Sequence, residues 1–237
     1  MATYVLIPGA GGNAMYWNLL VPELRGRGHD VVAPHLPGAD DSAGLAEYTD
    51  IVVNAIGERH QLIVVAQSLA GFTAPLVCTR VPVDLLVLLN AMVPAPGETA
   101  GDWWADTGQI QARAEKAARD GRTVTADVDL REEFFHDVAA ELTAEAMAQE
   151  PTPESDRVFT EPWPLEKWPD VPTRFLQGRD DRFLPLEFQR RVVRERLGLS
   201  VDEMPGGHLV ALSRPRKLAE RLEAYRVEHK GTATSAN

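Results

Sequence analysis

Short runs of apolar, largely β-branched residues alternate with longer amphipathic stretches along most of this chain. The short runs predict strands at Tyr4–Ile7, Asp30–Ala33, Gln61–Ala66, Asp84–Leu89, Thr173–Leu176 and Ser200–Met204. Several show no polar alternation, the pattern of strands buried on both faces in a parallel sheet. The amphipathic stretches predict helices over roughly Met15–Arg25, Leu45–Glu58, Ala70–Thr79, Leu186–Arg196 and Pro215–Val227. Gly26 and Gly28 punctuate the first helix, and Pro34 with the Pro37-Gly38 turn stops the second strand. Six strands joined by crossover helices imply an α/β fold with a right-handed, doubly wound, mostly parallel sheet. Chemistry in such sheets sits beyond the carboxyl ends of the strands.

The rhythm breaks between about Pro94 and Pro169. That stretch holds Trp103-Trp104, a charged helix near Gln109–Arg119, a second near Ala139–Gln149, and the patches Pro151-Thr152-Pro153 and Pro162-Trp163-Pro164. Its apolar content is too small for a separate core. The expected organisation is therefore an α/β core over 1–94 and 169–230, a helical lid insertion over 95–168, and a small polar, disordered tail over 231–237.

Composition narrows the class. A chain of 237 residues with 44% hydrophobic and 25% charged residues suits one soluble globular domain. The single cysteine, Cys78, excludes an intrachain disulfide and a zinc knuckle. The net charge of −11 disfavours nucleic acid, and no apolar run reaches the ~18 residues a membrane span needs. The amino terminus reads as a strand and not as a signal peptide, which points to a cytoplasmic protein. A monomer or a homodimer is expected, with no metal and no cofactor.

Candidate chemistry sits where strands end. Ser68, in Ala66-Gln67-Ser68-Leu69-Ala70-Gly71, falls between an apolar strand and a helix. A serine lifted above the sheet by a sharp turn needs small neighbours, here Ala66 and Ala70. The plain alternative is a helix N-cap serine. His208, in Gly206-Gly207-His208-Leu209, lies in a Gly-rich loop after the last strand and can reach across to Ser68. His29, His60 and His229 read as solvated, His35 as a pocket-edge residue, and His136 as facing either solvent or substrate. Asp180 and Asp181 both follow the penultimate strand, and one of them suits the acid of a Ser…Asp…His triad. The oxyanion donors expected are the amides of Leu69 and of Ala10, in the loop Gly9-Ala10-Gly11-Gly12. That loop does not match a dinucleotide fingerprint, and no phosphate-binding lysine follows it.

These pieces resemble the α/β-hydrolase superfamily across residues 3–228. More narrowly, they are similar to the group holding plant methyl-ester esterases, hydroxynitrile lyases and their bacterial relatives. The resemblance rests on Ile7-Pro8-Gly9-Ala10-Gly11-Gly12 with Trp17, Ala66–Gly71, Asn90-Ala91-Met92-Val93-Pro94, Asp181–Gln189 and Gly206-Gly207-His208. It implies a serine hydrolase cleaving a small-molecule carboxylic ester, thioester or lactone through an acyl-serine. Asp181 is favoured over Asp180, being three residues after Gly178 and four before Pro185. Trp17, Met92, Trp103, Trp104 and Leu209 are the expected pocket residues, though the Trp103-Trp104 pair suits lid packing equally well. The chain departs from the pattern at Pro8, where a histidine is usual, and at His35, where an aspartate is common. Gly9 and Leu209 stand where the lyases carry threonine and lysine, which disfavours cyanohydrin cleavage. Other chemistries of the fold, or a low-turnover receptor, are the rival readings.

Overall fold

The computed structural model describes residues 1–124, 128–150 and 152–235. Six strands, β1 (Thr3–Ile7), β2 (Asp30–Val32), β3 (Leu62–Gln67), β4 (Leu85–Leu89), β5 (Thr173–Gly178) and β6 (Val201–Met204), form one sheet. Their order is β2-β1-β3-β4-β5-β6, and every pairing is parallel. Successive side chains of a strand point to opposite faces. Val5, Ile7, Val64 and Ala66 accordingly enter one core, while Tyr4, Leu6, Ile63 and Val65 enter the other. Both faces are buried, which is why these strands read as unbroken apolar runs.

The helices in chain order are α1 (Leu20–Arg25), α2 (Leu45–Ile56), α3 (Ala70–Arg80), α4 (Trp103–Thr107), α5 (Gln109–Arg119), α6 (Leu130–Glu133), α7 (Ala140–Met147), α8 (Asp156–Thr160), α9 (Leu186–Leu197), α10 (Val210–Ser213) and α11 (Pro215–Ser235). Residues of α2, α3 and α9 cover one face of the sheet. Residues of α1, α10 and α11 cover the other.

The chain leaves β1 toward β2 on one side and returns to β3 on the other. The order therefore reverses between β1 and β3, whose ends stand side by side with Ile7 opposite Ala66. Helices α1 and α3 depart to opposite faces from there, opening a crevice beyond the strand ends, the preferred ligand position of such sheets. The loops that open it carry Ala10 and Ser68.

The first helix differs from expectation. In place of one helix over Met15–Arg25 there is a 3₁₀ turn, Ala14–Trp17, capped by the Asn13 side chain on the Met15 amide (2.9 Å), followed by α1. Pro22 is the reason: it has no N–H to donate one turn back, so the helix restarts with Pro22 in its first turn.

The β4–β5 connection carries α4 to α8 and is tied by long-range hydrogen bonds to α9, to α3 and to the loop before α2. Arg196 grips Glu98 with both terminal nitrogens (2.5 and 2.7 Å), Trp163 Nε1 donates to the Phe72 carbonyl (3.0 Å), and Ser155 Oγ donates to the Ala43 carbonyl (2.6 Å). Helices α4, α6 and α8 have four or five residues each, too few to show a helical period in sequence. At the other end of the chain, α11 runs well past Val227 to Ser235, so residues 231–235 of the expected tail are helical. A helix already under way adds residues at low cost. Residues 236 and 237 lie outside the described residues. No helix among the described residues is long and apolar enough to cross a membrane.

Candidate active site

Ser68 adopts φ +55°, a left-handed conformation that costs a β-carbon-bearing residue strain and persists only where surroundings enforce it. The surroundings are identifiable. The Ser68 amide donates to the Leu89 carbonyl (3.3 Å), and the Ser68 carbonyl accepts from Gly71 (3.1 Å) and Met92 (2.9 Å). The residue that must be smallest is Gly71, where an added β-carbon would lie 1.8 Å from the Met92 carbonyl oxygen. Gly9 is the second tight point, its added β-carbon falling 2.9 Å from that of Ser68. Ala66 and Ala70 are buried at the places where sequence logic asks for small residues.

His208 is buried and its Nδ1 lies 2.8 Å from Oδ2 of Asp181, which is fully buried. An ionised carboxylate can only accept, so the ring proton sits on Nδ1 and leaves a lone pair on Nε2. Three further donors hold the same carboxylate. Phe183 N (2.9 Å) and Leu184 N (2.8 Å) donate to Oδ1, and Gln177 Nε2 (3.1 Å) donates to Oδ2. Asp180 is exposed and turns the other way, its Oδ2 accepting from the Gly206 amide at 3.0 Å. Asn90 links the two loops: its Nδ2 donates to the carbonyls of Gly207 (3.1 Å) and His208 (2.9 Å), and its Oδ1 accepts from Gly178 N (2.6 Å). The edges of Phe134 and Phe183 meet the His208 ring at centroid distances of 5.0 and 5.5 Å, shielding the pair from water.

Ser68 and His208 open on a common cavity of about 440 Å³, ample for a small organic molecule. Ala10, Leu69, Met92, Trp104 and Leu209 line it, together with Leu130, Phe134, Phe135, Phe159 and Phe183. Leu69 is the N-cap of α3, so its amide is among those with no helical carbonyl behind it. Ala10 heads the turn closed by the Gly12 amide on the Gly9 carbonyl (3.0 Å).

Two expected pocket residues lie elsewhere. Trp17 is fully buried in the core under α1 and α11, on the opposite face of the sheet from α3. Trp103 is fully buried too, donating from Nε1 to the Val93 carbonyl (3.0 Å) and packing edge-on against Phe188. Trp104, half-buried next to it, is the one that meets the cavity. Adjacent helical residues point about 100° apart, so a Trp-Trp pair cannot send both rings the same way. His35 is exposed and its Nδ1 accepts from Ala14 N (3.3 Å), while His136 packs against Gly207, its pKa lowered chiefly by burial. His29, expected in solvent, is buried: Nδ1 accepts from Ala2 N (3.2 Å) and Nε2 pairs with Glu223 (2.9 Å). The aromatic wall and Glu154 escaped the sequence reading. The Phe134-Phe135 doublet within a charged segment was the one available signal.

A pyrethroid hydrolase of Sphingobium wenxiniae is 29% identical, with 98% of this chain and 91% of that protein aligned. Among solved structures, an extracellular alpha/beta-hydrolase from a Paenibacillus species has a TM-score of 0.74 at 22% identity, covering 95% of this chain and 99% of that one. A pyrethroid hydrolase from Sphingobium faniae has a TM-score of 0.73 at 24% identity, covering 95% and 97%. The sequence pattern of the alpha/beta hydrolase family matches residues 4–221. The chain belongs to the alpha/beta hydrolase family.

Proposed function

We propose that this protein is a serine hydrolase that cleaves a carboxylic ester, or the related thioester or lactone, of a small and largely apolar molecule. The observation that carries this reading is the buried Asp181–His208 pair opening, with a strained Ser68, on one apolar cavity. His208 Nε2 takes the Ser68 proton as Oγ adds to the carbonyl carbon. The negative charge that develops on the carbonyl oxygen is met by the amides of Ala10 and Leu69. Asp181 keeps the proton on Nδ1 and stabilises the imidazolium, which then protonates the leaving alkoxide. Water activated by the same histidine releases the acid and restores Ser68. A curated relative named a pyrethroid hydrolase agrees with a hydrolytic reaction.

The reading is tested by a fluorophosphonate probe and a panel of p-nitrophenyl esters of graded acyl length. Ser68 should be the one serine labelled, and Ser68→Ala should abolish labelling and turnover together. Labelling that survives in the variant, or a wild-type protein that does not label, would leave a ligand receptor as the better reading.

We read residues 95–168 as the lid of this site, with substrate preference residing in its aromatic residues. The two tryptophans should then separate cleanly. Trp103→Ala removes a fully buried ring and its hydrogen bond, and should cost about 3–5 kcal/mol of stability. Trp104→Ala should lower the melting temperature far less and shift the preferred acyl length upward. Thermal unfolding and the ester panel read the two effects. A Trp104→Ala profile that matches wild type would remove Trp104 from the pocket.

A further inference from the structure

One carboxylate in the cavity has no place in the reaction above. Glu154 lies between α7 and α8 and lines the same cavity as Ser68 and His208. Its Oε2 accepts the Gly11 amide at 2.6 Å, and its Oε1 accepts the Tyr48 hydroxyl from α2 and the Ser155 amide (3.2 Å). Burial raises its carboxyl above the ordinary range, against the pull of these three donors. The segment around it lies on the loop that carries Ala10. Gly11 sits at φ +83°, and a β-carbon there would come within 3.0 Å of the Thr152 carbonyl oxygen. Fully buried Ser155, bonded to the Ala43 carbonyl, anchors the same segment to the core.

We propose that Glu154 is a positioning residue, which reaches from the lid to hold the Gly9–Gly12 loop in the shape that presents the Ala10 amide to the oxyanion. The Gly11 N–H belongs to the peptide plane directly after Ala10. Fixing that plane fixes one of the two torsions at Ala10, and the Asn13–Met15 cap fixes the chain beyond it. What Glu154 supplies is an acceptor and not a charge. A negative carboxylate near a developing oxyanion raises its energy, so no electrostatic benefit attaches to the anion itself. The loop thus takes its working form with the lid segment seated on it. This inference rests on the ester-hydrolase reading.

Glu154→Ala and Glu154→Gln separate the roles. Glutamine keeps an acceptor for Gly11 while its amide donates to a Tyr48 hydroxyl that now accepts, at the cost of the long Ser155 amide contact (3.2 Å), which does not bear on the Gly9–Gly12 loop. The expected result is a loss of roughly 10- to 100-fold in kcat for Glu154→Ala with KM little changed, part of the ~10²–10³ that losing an oxyanion donor outright costs. Affinity for a trifluoromethyl ketone, whose adduct with Ser68 bears the oxyanion, should fall by a similar factor. Hydrogen–deuterium exchange of the peptide spanning residues 8–16 should rise. Glu154→Gln should stay close to wild type in all three. If Glu154→Ala does not fold, Glu154→Leu, nearer in volume, takes its place. An effect confined to KM, an unchanged loop exchange, or a Glu154→Gln variant as impaired as Glu154→Ala would overturn the proposal. If the wild-type protein neither turns over esters nor binds the ketone, while loop exchange still separates the two variants, the hydrolase reading fails and the tether stands.

Discussion

Asp181→Asn should lose roughly 10⁴-fold in kcat, while Asp180→Asn should stay within about tenfold of wild type, with both variants folded by circular dichroism. The two residues are neighbours in sequence, but their partners differ in kind. Asp181 Oδ1 accepts two backbone amides, Phe183 N and Leu184 N, which are fixed in the turn after β5. An asparagine at this position must turn its carbonyl oxygen toward those amides. Its NH2 group then faces both Gln177 Nε2 and His208 Nδ1, in the place of the oxygen that now accepts from them. Donor meets donor, and the histidine is driven to the tautomer with its proton on Nε2. In that form it has no lone pair to offer Ser68. Gln177 worsens the conflict, because its amide loses one acceptor in a fully buried place and keeps the Leu184 carbonyl (2.8 Å). Asp180 gives up one hydrogen bond at the surface, to Gly206 N, and asparagine oxygen can replace it. Steady-state kinetics on a p-nitrophenyl ester decide the matter, and the reverse ranking would move the acid to Asp180.

Gly71→Ala should be among the most damaging small substitutions in the molecule. The added methyl would lie 1.8 Å from the Met92 carbonyl oxygen and 2.9 Å from its carbon, both backbone atoms. Relief by a side-chain rotation is unavailable, and Met92 is itself bonded to the Ser68 carbonyl at 2.9 Å. Either α3 or the segment after β4 must move, and both movements carry Ser68 with them. Overpacking typically costs ~1–3 kcal/mol, and this contact belongs at or beyond the upper end. At about 2–4 °C per kcal/mol for a chain of this size, the melting temperature should fall by roughly 6–12 °C. Activity of the fraction that stays folded should fall as well, because the elbow is displaced. Gly231→Ala, in α11 where an added β-carbon meets nothing within 4 Å, is the control and should be neutral to slightly stabilising. Equal melting temperatures for the two variants would mean that the elbow has slack the packing does not suggest.

How much of this could be read along the chain depended on the range of the physics involved. Strands and long helices are written in local periodicity, so all six strands and helices such as Gln109–Arg119 were legible. Ser68 stood out as a candidate because a strand end, a serine and small residues fall within a few positions of one another. His208 and the Asp180-Asp181 pair stood out as polar residues after strand ends in a parallel sheet. Chain order alone did not decide between the aspartates. The turn after β5 distinguishes their surroundings, aiming the amides of Phe183 and Leu184 at the Asp181 carboxylate and leaving Asp180 exposed.

Tertiary structure decided everything that depends on which surfaces meet. Trp17 and Trp103 look like pocket residues in sequence, since a large indole serves equally well as wall or core. Closure of the two faces of the sheet committed both to the core and left Trp104 at the cavity. His29 looked solvated because nothing nearby in sequence marks the arrival of Glu223, nearly two hundred residues later. Separation in sequence likewise hid Glu154 from the Gly11 amide, 143 positions away. Local sequence sets which elements form and which side chains are chemically able, because hydrogen-bond geometry and side-chain period act over a few residues. Which of those side chains meet was left to the packing of the sheet, its helices and the β4–β5 connection, since only burial of their shared apolar surface brings such distant residues within reach.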